Sequence, residues 1–212
     1  MILTLIRHGQ TDLGSQGKYC GFLDVPLNDV GKNQSEKLAE RFEGTAIDSV
    51  YSSDLKRAHQ TAQIAFKDKS TVKRPCFREM GLGILEGLSY QEAMGQYPDV
   101  YTAWVNDPQS VVLPQGEHFK DFSARVLQGL EELLVQNEGK SIALVSHGGP
   151  IRLILSKALD YSFKDFWSLS QENAAVNIIE YHSSQKPKVI TVNDTEHLKC
   201  HCEEPKATRQ SF

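Results

Sequence analysis

Two histidines stand at the ends of apolar runs. Leu5-Ile6-Arg7-His8-Gly9 closes the first run of the chain, and Ser146-His147-Gly148-Gly149 closes the run over 141–146. An imidazole serves as base or nucleophile at neutral pH. Arg7, beside His8, adds a fork of donors that matches phosphate geometry. Arg57 falls in the first turn of a helix that follows a third short run at 48–52. If these three runs end side by side, two guanidinium groups and two imidazoles share one pocket. A helix N-terminus near each adds partial positive charge and free backbone donors. The guest that suits such a pocket is a dianion with three equivalent oxygens, a phosphoryl group, whose transfer needs mainly positioning and charge stabilisation. One histidine must then be neutral at its attacking nitrogen, with the other nitrogen donating a hydrogen bond. The second is free to be protonated and act as a charged donor.

The elements that position these residues follow from the pattern around them. Residues 1–6 and 141–146 read as fully buried strands of a parallel sheet, and open α/β sheets bind ligands just past their strand ends. Leu38, Ala39 and Phe42 make a helical stripe over 29–42, and Ser53-Asp54 supply capping side chains for a helix over 55–66. Phe119, Phe122, Val126, Leu130, Leu133 and Leu134 form a second stripe, and Gly149-Pro150 opens a further helix. Segments 176–181 and 188–193 look like two late strands. The alternation predicts an α/β fold, a three-layer α/β/α sandwich with a mainly parallel central sheet. Residues 81–115 break the rhythm and are read as a small helical lid inserted in a single domain over 1–195.

A formal net charge of −4 argues against nucleic acid or an anionic membrane as the main partner. It leaves room for a local cationic pocket. No secretory signal pattern opens the sequence, and no run approaches the roughly 18 apolar residues of a membrane span. Cys20, Cys76, Cys200 and Cys202 are too few and scattered for a disulfide framework. The expectation is a cytoplasmic protein whose partner is a small-molecule phosphomonoester, with room for a homodimer. Residues 196–212 read as a flexible polar tail; His197, Cys200, His201 and Cys202 within it match no zinc spacing.

Arg7-His8-Gly9 with Thr11, the phrase Tyr51-Ser52-Ser53-Asp54-Leu55 with Arg57-Ala58 and Thr61-Ala62, and Ser146-His147-Gly148-Gly149 together resemble the histidine phosphatase superfamily, the phosphoglycerate-mutase-like proteins. Gly21 with Asp24, Pro26-Leu27 and Gly31 resembles its second loop, and Glu79 with Glu86-Gly87 its acid-bearing segment. The resemblance implies that His8 becomes phosphohistidine, that Arg7, Arg57 and His147 hold the phosphoryl oxygens, and that Glu79 is the acid and then the base. It also implies that no metal and no cofactor is used. Thr11, Gly21 and Gly148 fall in its substrate-binding motifs. Many members carry Asn six residues after the nucleophile, where this chain has Gly14. Thr11 or a backbone donor then takes the place of that amide.

Several alternatives stand at this level. Glu86 lies near enough in sequence to be the acid instead of Glu79. Tyr97, Tyr101 and Trp104, spaced by four and three, fit one helical face, so they either stack on a substrate or pack a core. The lid phrase 101–109 is similar to that of α-ribazole phosphatases, which implies hydrolysis of α-ribazole 5′-phosphate in cobalamin assembly. The rivals are a broad-specificity or sugar-phosphate phosphatase, a phosphoglycerate mutase, and a phospho-ligand-binding protein that does no chemistry.

Overall fold

The computed structural model describes residues 1–182 and 185–199. Strand β1 (Ile2–Arg7) leads through a short turn of helix, α1 (Asp12–Ser15), to α2 (Asp29–Phe42). Strand β2 (Ser49–Ser52), helix α3 (Lys56–Ala65) and strand β3 (Thr71–Lys73) follow. The lid holds α4 (Tyr90–Gln96) and α5 (Pro98–Asn106), after which the chain returns through α6 (Phe119–Gln136) to β4 (Ser141–Ser146). Helices α7 (Gly148–Leu159) and α8 (Phe163–Phe166) precede the closing pair β5 (Val176–Glu180) and β6 (Lys188–Asp194).

One six-stranded sheet runs in the order β3-β2-β4-β1-β5-β6. Its β3-β2-β4-β1 portion is parallel, while β5 is antiparallel to β1 and to β6. Strand alternation splits the apolar side chains between the two faces. Leu3, Leu5, Ile142 and Leu144 pack with Phe122, Val126, Leu130, Ile151 and Ile154 of α6 and α7. Ile6, Ala143 and Val145 pack with Leu38, Ala58 and Ala62 of α2 and α3 on the other face. This is the α/β/α sandwich read from the sequence.

Local chemistry explains the helix starts, with one correction. Asn28 accepts from the Gly31 amide at 2.9 Å to cap α2, and Pro150 occupies the first turn of α7. Ser53 and Asp54 do not cap α3. Leu55 is the capping residue and offers no side-chain acceptor, so Asp24 reaches across from a distant loop to accept from the Lys56 amide at 2.6 Å. Ser53 Oγ accepts from the amide of Leu55 itself at 3.3 Å and meets His147, and Asp54 pairs with Arg78.

The first residues past 195 also depart from expectation. Glu196–Leu198 forms a 3-10 turn against α2, with Leu198 packed on the apolar cluster beneath it. Arg41 ties the turn down by donating to Asp194 and to His197 Nδ1. Cys200, His201 and Cys202 lie outside the described residues. Among the described residues, no helix is long and apolar enough to cross a membrane.

Candidate active site

The pairing of β1 with β4 places Arg7 opposite Ser146. The chain leaves both strands at the same height, so His8 and His147 emerge as neighbours with ring centroids 5.1 Å apart. His8 Nδ1 lies 2.7 Å from the carbonyl of Gly9. A carbonyl only accepts, so Nδ1 carries the proton and Nε2 keeps its lone pair. Burial, then the charges of Arg57 and Arg7, hold this imidazole well below the ordinary histidine range. His8 is a neutral ring with a fixed tautomer.

His147 is neutral too. Arg57 Nε donates to its Nδ1 at 3.2 Å, which leaves the proton on Nε2, 2.9 Å from Ser53 Oγ. Burial and the nearby Arg57 push its pKa well below the usual value. The second histidine, which the sequence left open to protonation, is neutral.

Arg57 is spent largely on the protein itself. Beyond His147 it donates to the carbonyls of Leu23 (2.7 Å), Cys20 (3.1 Å) and Gly21 (2.9 Å), which uses four of an arginine's five N–H groups. Arg57 and His147 are 1% and 0% exposed and are not among the residues that line the cavity, although the His147 ring centroid is 5.1 Å from that of His8, which does. Arg7 does face that cavity. It donates from Nη1 to the Gln171 carbonyl, and its buried Nε has no partner among the described residues. Burial lowers the pKa of Arg7, Arg57 and Arg152 alike. Three guanidinium groups taken out of water around one space favour an anion there.

The two carboxylates separate cleanly. Glu86 is a staple, accepting from the amides of Phe22 (2.8 Å), Leu23 (2.8 Å) and Leu82 (3.0 Å). Glu79 lines the cavity and accepts from the Gly149 amide at 3.1–3.2 Å and from Met80 N at 3.0 Å. A Cβ on Gly149 would lie 2.2 Å from Glu79 Oε1, so only glycine lets the helix start approach the carboxylate.

The cavity, about 240 Å³, is lined by the cations Arg7, Lys18 and Arg152 together with a group of aromatic side chains. Thr11 and Trp104 reach it. Gly21 and Gly148 are not among its lining residues. Gly21 instead packs so closely that a Cβ would stand 2.5 Å from the Met80 carbonyl. The predicted aromatic trio shares one apolar cluster, from which Trp104 alone also reaches the cavity. Tyr97 and Tyr101 belong to the apolar cluster of the lid with Leu85, Ala93 and Leu113, and Tyr101 shares a 2.6 Å hydrogen bond with the hydroxyl of Tyr19.

The sequence reading missed Lys18, Arg152, Trp167 and Asn173, all of which line the cavity. Arg152 is held by Nε donating to the Leu169 carbonyl at 2.8 Å, with its guanidinium 5.8 Å from the Trp167 ring centroid. Its position four residues after Gly148, on the same helical face, was a readable signal.

The sequence pattern of the histidine phosphatase superfamily (branch 1) matches residues 3–195, and the chain belongs to that family. It is 33% identical over 199 residues to phosphoserine phosphatase 1 of Hydrogenobacter thermophilus, covering 92% of this chain and 93% of that one. It is 30% identical over 182 residues to the adenosylcobalamin/α-ribazole phosphatase of Escherichia coli, covering 85% and 90%. The crystal structure of the α-ribazole phosphatase from Shigella flexneri superposes with a TM-score of 0.85 at 27% identity, covering 92% and 96%. Some mycobacterial relatives are longer, and the chain spans 54% of their length at 35% identity.

Both imidazoles are expected to stay neutral as the pH falls through 6.5, because each titrates well below that value in the folded protein. Long-range ¹⁵N–¹H correlation spectra of the ligand-free protein should show the Nδ1–H tautomer for His8 and the Nε2–H tautomer for His147 at pH 6.5. An imidazolium signature for either ring at that pH would overturn the assignment.

Proposed function

We propose that this protein is a phosphomonoesterase that works through a phosphohistidine on His8. The observation that carries the reading is the His8 ring itself: neutral, locked by the Gly9 carbonyl, and lining the cavity with Nε2 unprotonated. In the first step the Nε2 lone pair forms a P–N bond as the P–O bond to the alcohol breaks. The departing oxygen takes a proton from Glu79. Glu79 then takes a proton from water, whose oxygen attacks phosphorus; the P–N bond breaks and its electron pair returns to Nε2.

Other residues supply charge and donors. Arg7 faces the phosphoryl oxygens, while buried Arg57 adds positive charge and neutral His147 braces that guanidinium through Nδ1. Thr11 Oγ1 already accepts from Gly14 N at 3.1 Å, so its hydroxyl hydrogen is available to a phosphoryl oxygen. That donor stands in for the amide absent at position 14.

The alcohol half of the substrate meets Phe119, Phe122, Phe166, Trp104 and Trp167. An ester with a broad apolar or aromatic body suits this wall, and α-ribazole 5′-phosphate is such an ester. Lys18 and Arg152 in the same cavity favour a second reading, an ester that carries a carboxylate, as phosphoserine does.

Two measurements test these readings. Glu79→Gln should slow alkyl phosphates at least tenfold more than p-nitrophenyl phosphate, whose leaving group hardly needs a proton; equal losses would remove Glu79 from the acid role. Initial rates of phosphate release in EDTA should then be compared across α-ribazole 5′-phosphate, phosphoserine, 3-phosphoglycerate and p-nitrophenyl phosphate. The proposal expects kcat/KM at least a hundredfold higher for the ribazole ester, about 2.7 kcal/mol of discrimination. A preference for phosphoserine would replace that substrate with the carboxylated class, and similar rates on all four would make the enzyme a broad-specificity phosphatase.

A further inference from the structure

Strand β5 reads Val176-Asn177-Ile178-Ile179, and the asparagine in this apolar strand is fully buried. A buried amide without partners is costly, and Asn177 has a full set. Its Nδ2 donates to Gln171 Oε1 at 2.8 Å and approaches the Leu5 carbonyl at 3.4 Å. Its Oδ1 accepts from Gln171 Nε2 at 3.1 Å and from the Asn193 amide at 2.7 Å. The two side-chain amides of Asn177 and Gln171 therefore clasp each other in both directions.

The clasp holds a segment that touches the site. Gln171 presents its main-chain carbonyl to Arg7 Nη1. Two residues on, Asn173 Nδ2 donates to the His8 carbonyl at 3.1 Å, and the Ala174 amide approaches the same oxygen at 3.2 Å. From the far side, Asn193 Oδ1 accepts from the Glu172 amide at 2.7 Å. Asn193 adopts a left-handed backbone (φ 52°), a conformation asparagine tolerates better than most residues. Residues 171–174 are thus pinned by Asn177 and Asn193 on one side and hold Arg7 and His8 on the other.

We propose that Asn177, through its amide clasp with Gln171, is a positioning residue that fixes the Arg7 guanidinium for the phosphoryl group. Asn177 does not line the cavity, and its clasp reaches Arg7 through the Gln171 carbonyl. Substituting it releases the 171–174 segment, lets Arg7 drift, and weakens the hold on phosphoryl oxygens. The inference rests on the phosphatase reading for its assay, and wild-type turnover of p-nitrophenyl phosphate separates the two: absence of turnover there defeats the function, not the clasp.

The test is a double-mutant cycle on kcat and KM for p-nitrophenyl phosphate, with inhibition by inorganic phosphate as a second readout. Asn177→Leu should lower kcat/KM at least tenfold and raise the phosphate inhibition constant by a similar factor. In an Arg7→Met background, assayed over hours, the same substitution should change kcat/KM by less than about twofold, because the group it positions is gone. Gln171→Met, on a loop rather than a strand, should give the same pattern and carries the test if Asn177→Leu does not fold. Equal losses with and without Arg7 would show that the amides serve only the fold, and an unchanged phosphate inhibition constant would equally overturn the proposal.

Discussion

Strand β1 runs parallel to β4 with Arg7 opposite Ser146, and both strands are buried through their middles, Leu3–Ile6 and Ile142–Val145. The next residue after each strand must leave the sheet at the same height, and after both strands that residue is histidine. His8 N donates back to the Ser146 carbonyl at 3.0 Å, which extends the ladder one step into the site. β2 ends beside them, with Ser53 N on the Val145 carbonyl at 2.9 Å, so Ser53 meets His147 and α3 delivers Arg57. A one-residue slip of β1 would turn Leu3 and Leu5 to the wrong face. The hydrophobic core therefore sets the spacing of the two imidazoles.

Charge is the second constraint. Arg57 sits almost wholly buried, and its donors grip three loop carbonyls and one imidazole. Those bonds satisfy the guanidinium but do not neutralise it. Burial first, and then the charges of Arg57 and Arg7, hold both histidines neutral; with Arg152 nearby, the same charge makes the space receptive to an anion. One arrangement thus fixes a neutral imidazole and favours an anion beside it. Glu79 enters because glycine at 149 leaves room for it.

Strand ends were legible because burial in a parallel sheet leaves a continuous apolar run, and a charged residue that interrupts it marks the edge. His8, Arg7 and His147 could be found that way, and the α/β/α layering followed from alternation. The motif around Arg57 carried its position but not its use, since nothing local says which carbonyls a guanidinium will meet. Tyr97 and Tyr101 show the same limit: helical spacing puts them on one face, but only the lid's own cluster decides that this face points inward. Glu86 and Glu79 were indistinguishable by type, and are separated by the three amides that occupy Glu86. Asn177 was visible as a polar residue in an apolar strand, though its partners at 171 and 193 come from outside that strand.

The central claim is that His8 carries the phosphoryl group between substrate and water. Mixing enzyme with ³²P-labelled phosphomonoester, quenching in alkali within milliseconds and mapping the label by mass spectrometry tests it directly. The account predicts one acid-labile, alkali-stable phosphoryl group per chain on the peptide that contains His8, and none in His8→Ala. Turnover without label on that peptide, or label and turnover that survive His8→Ala, would contradict it.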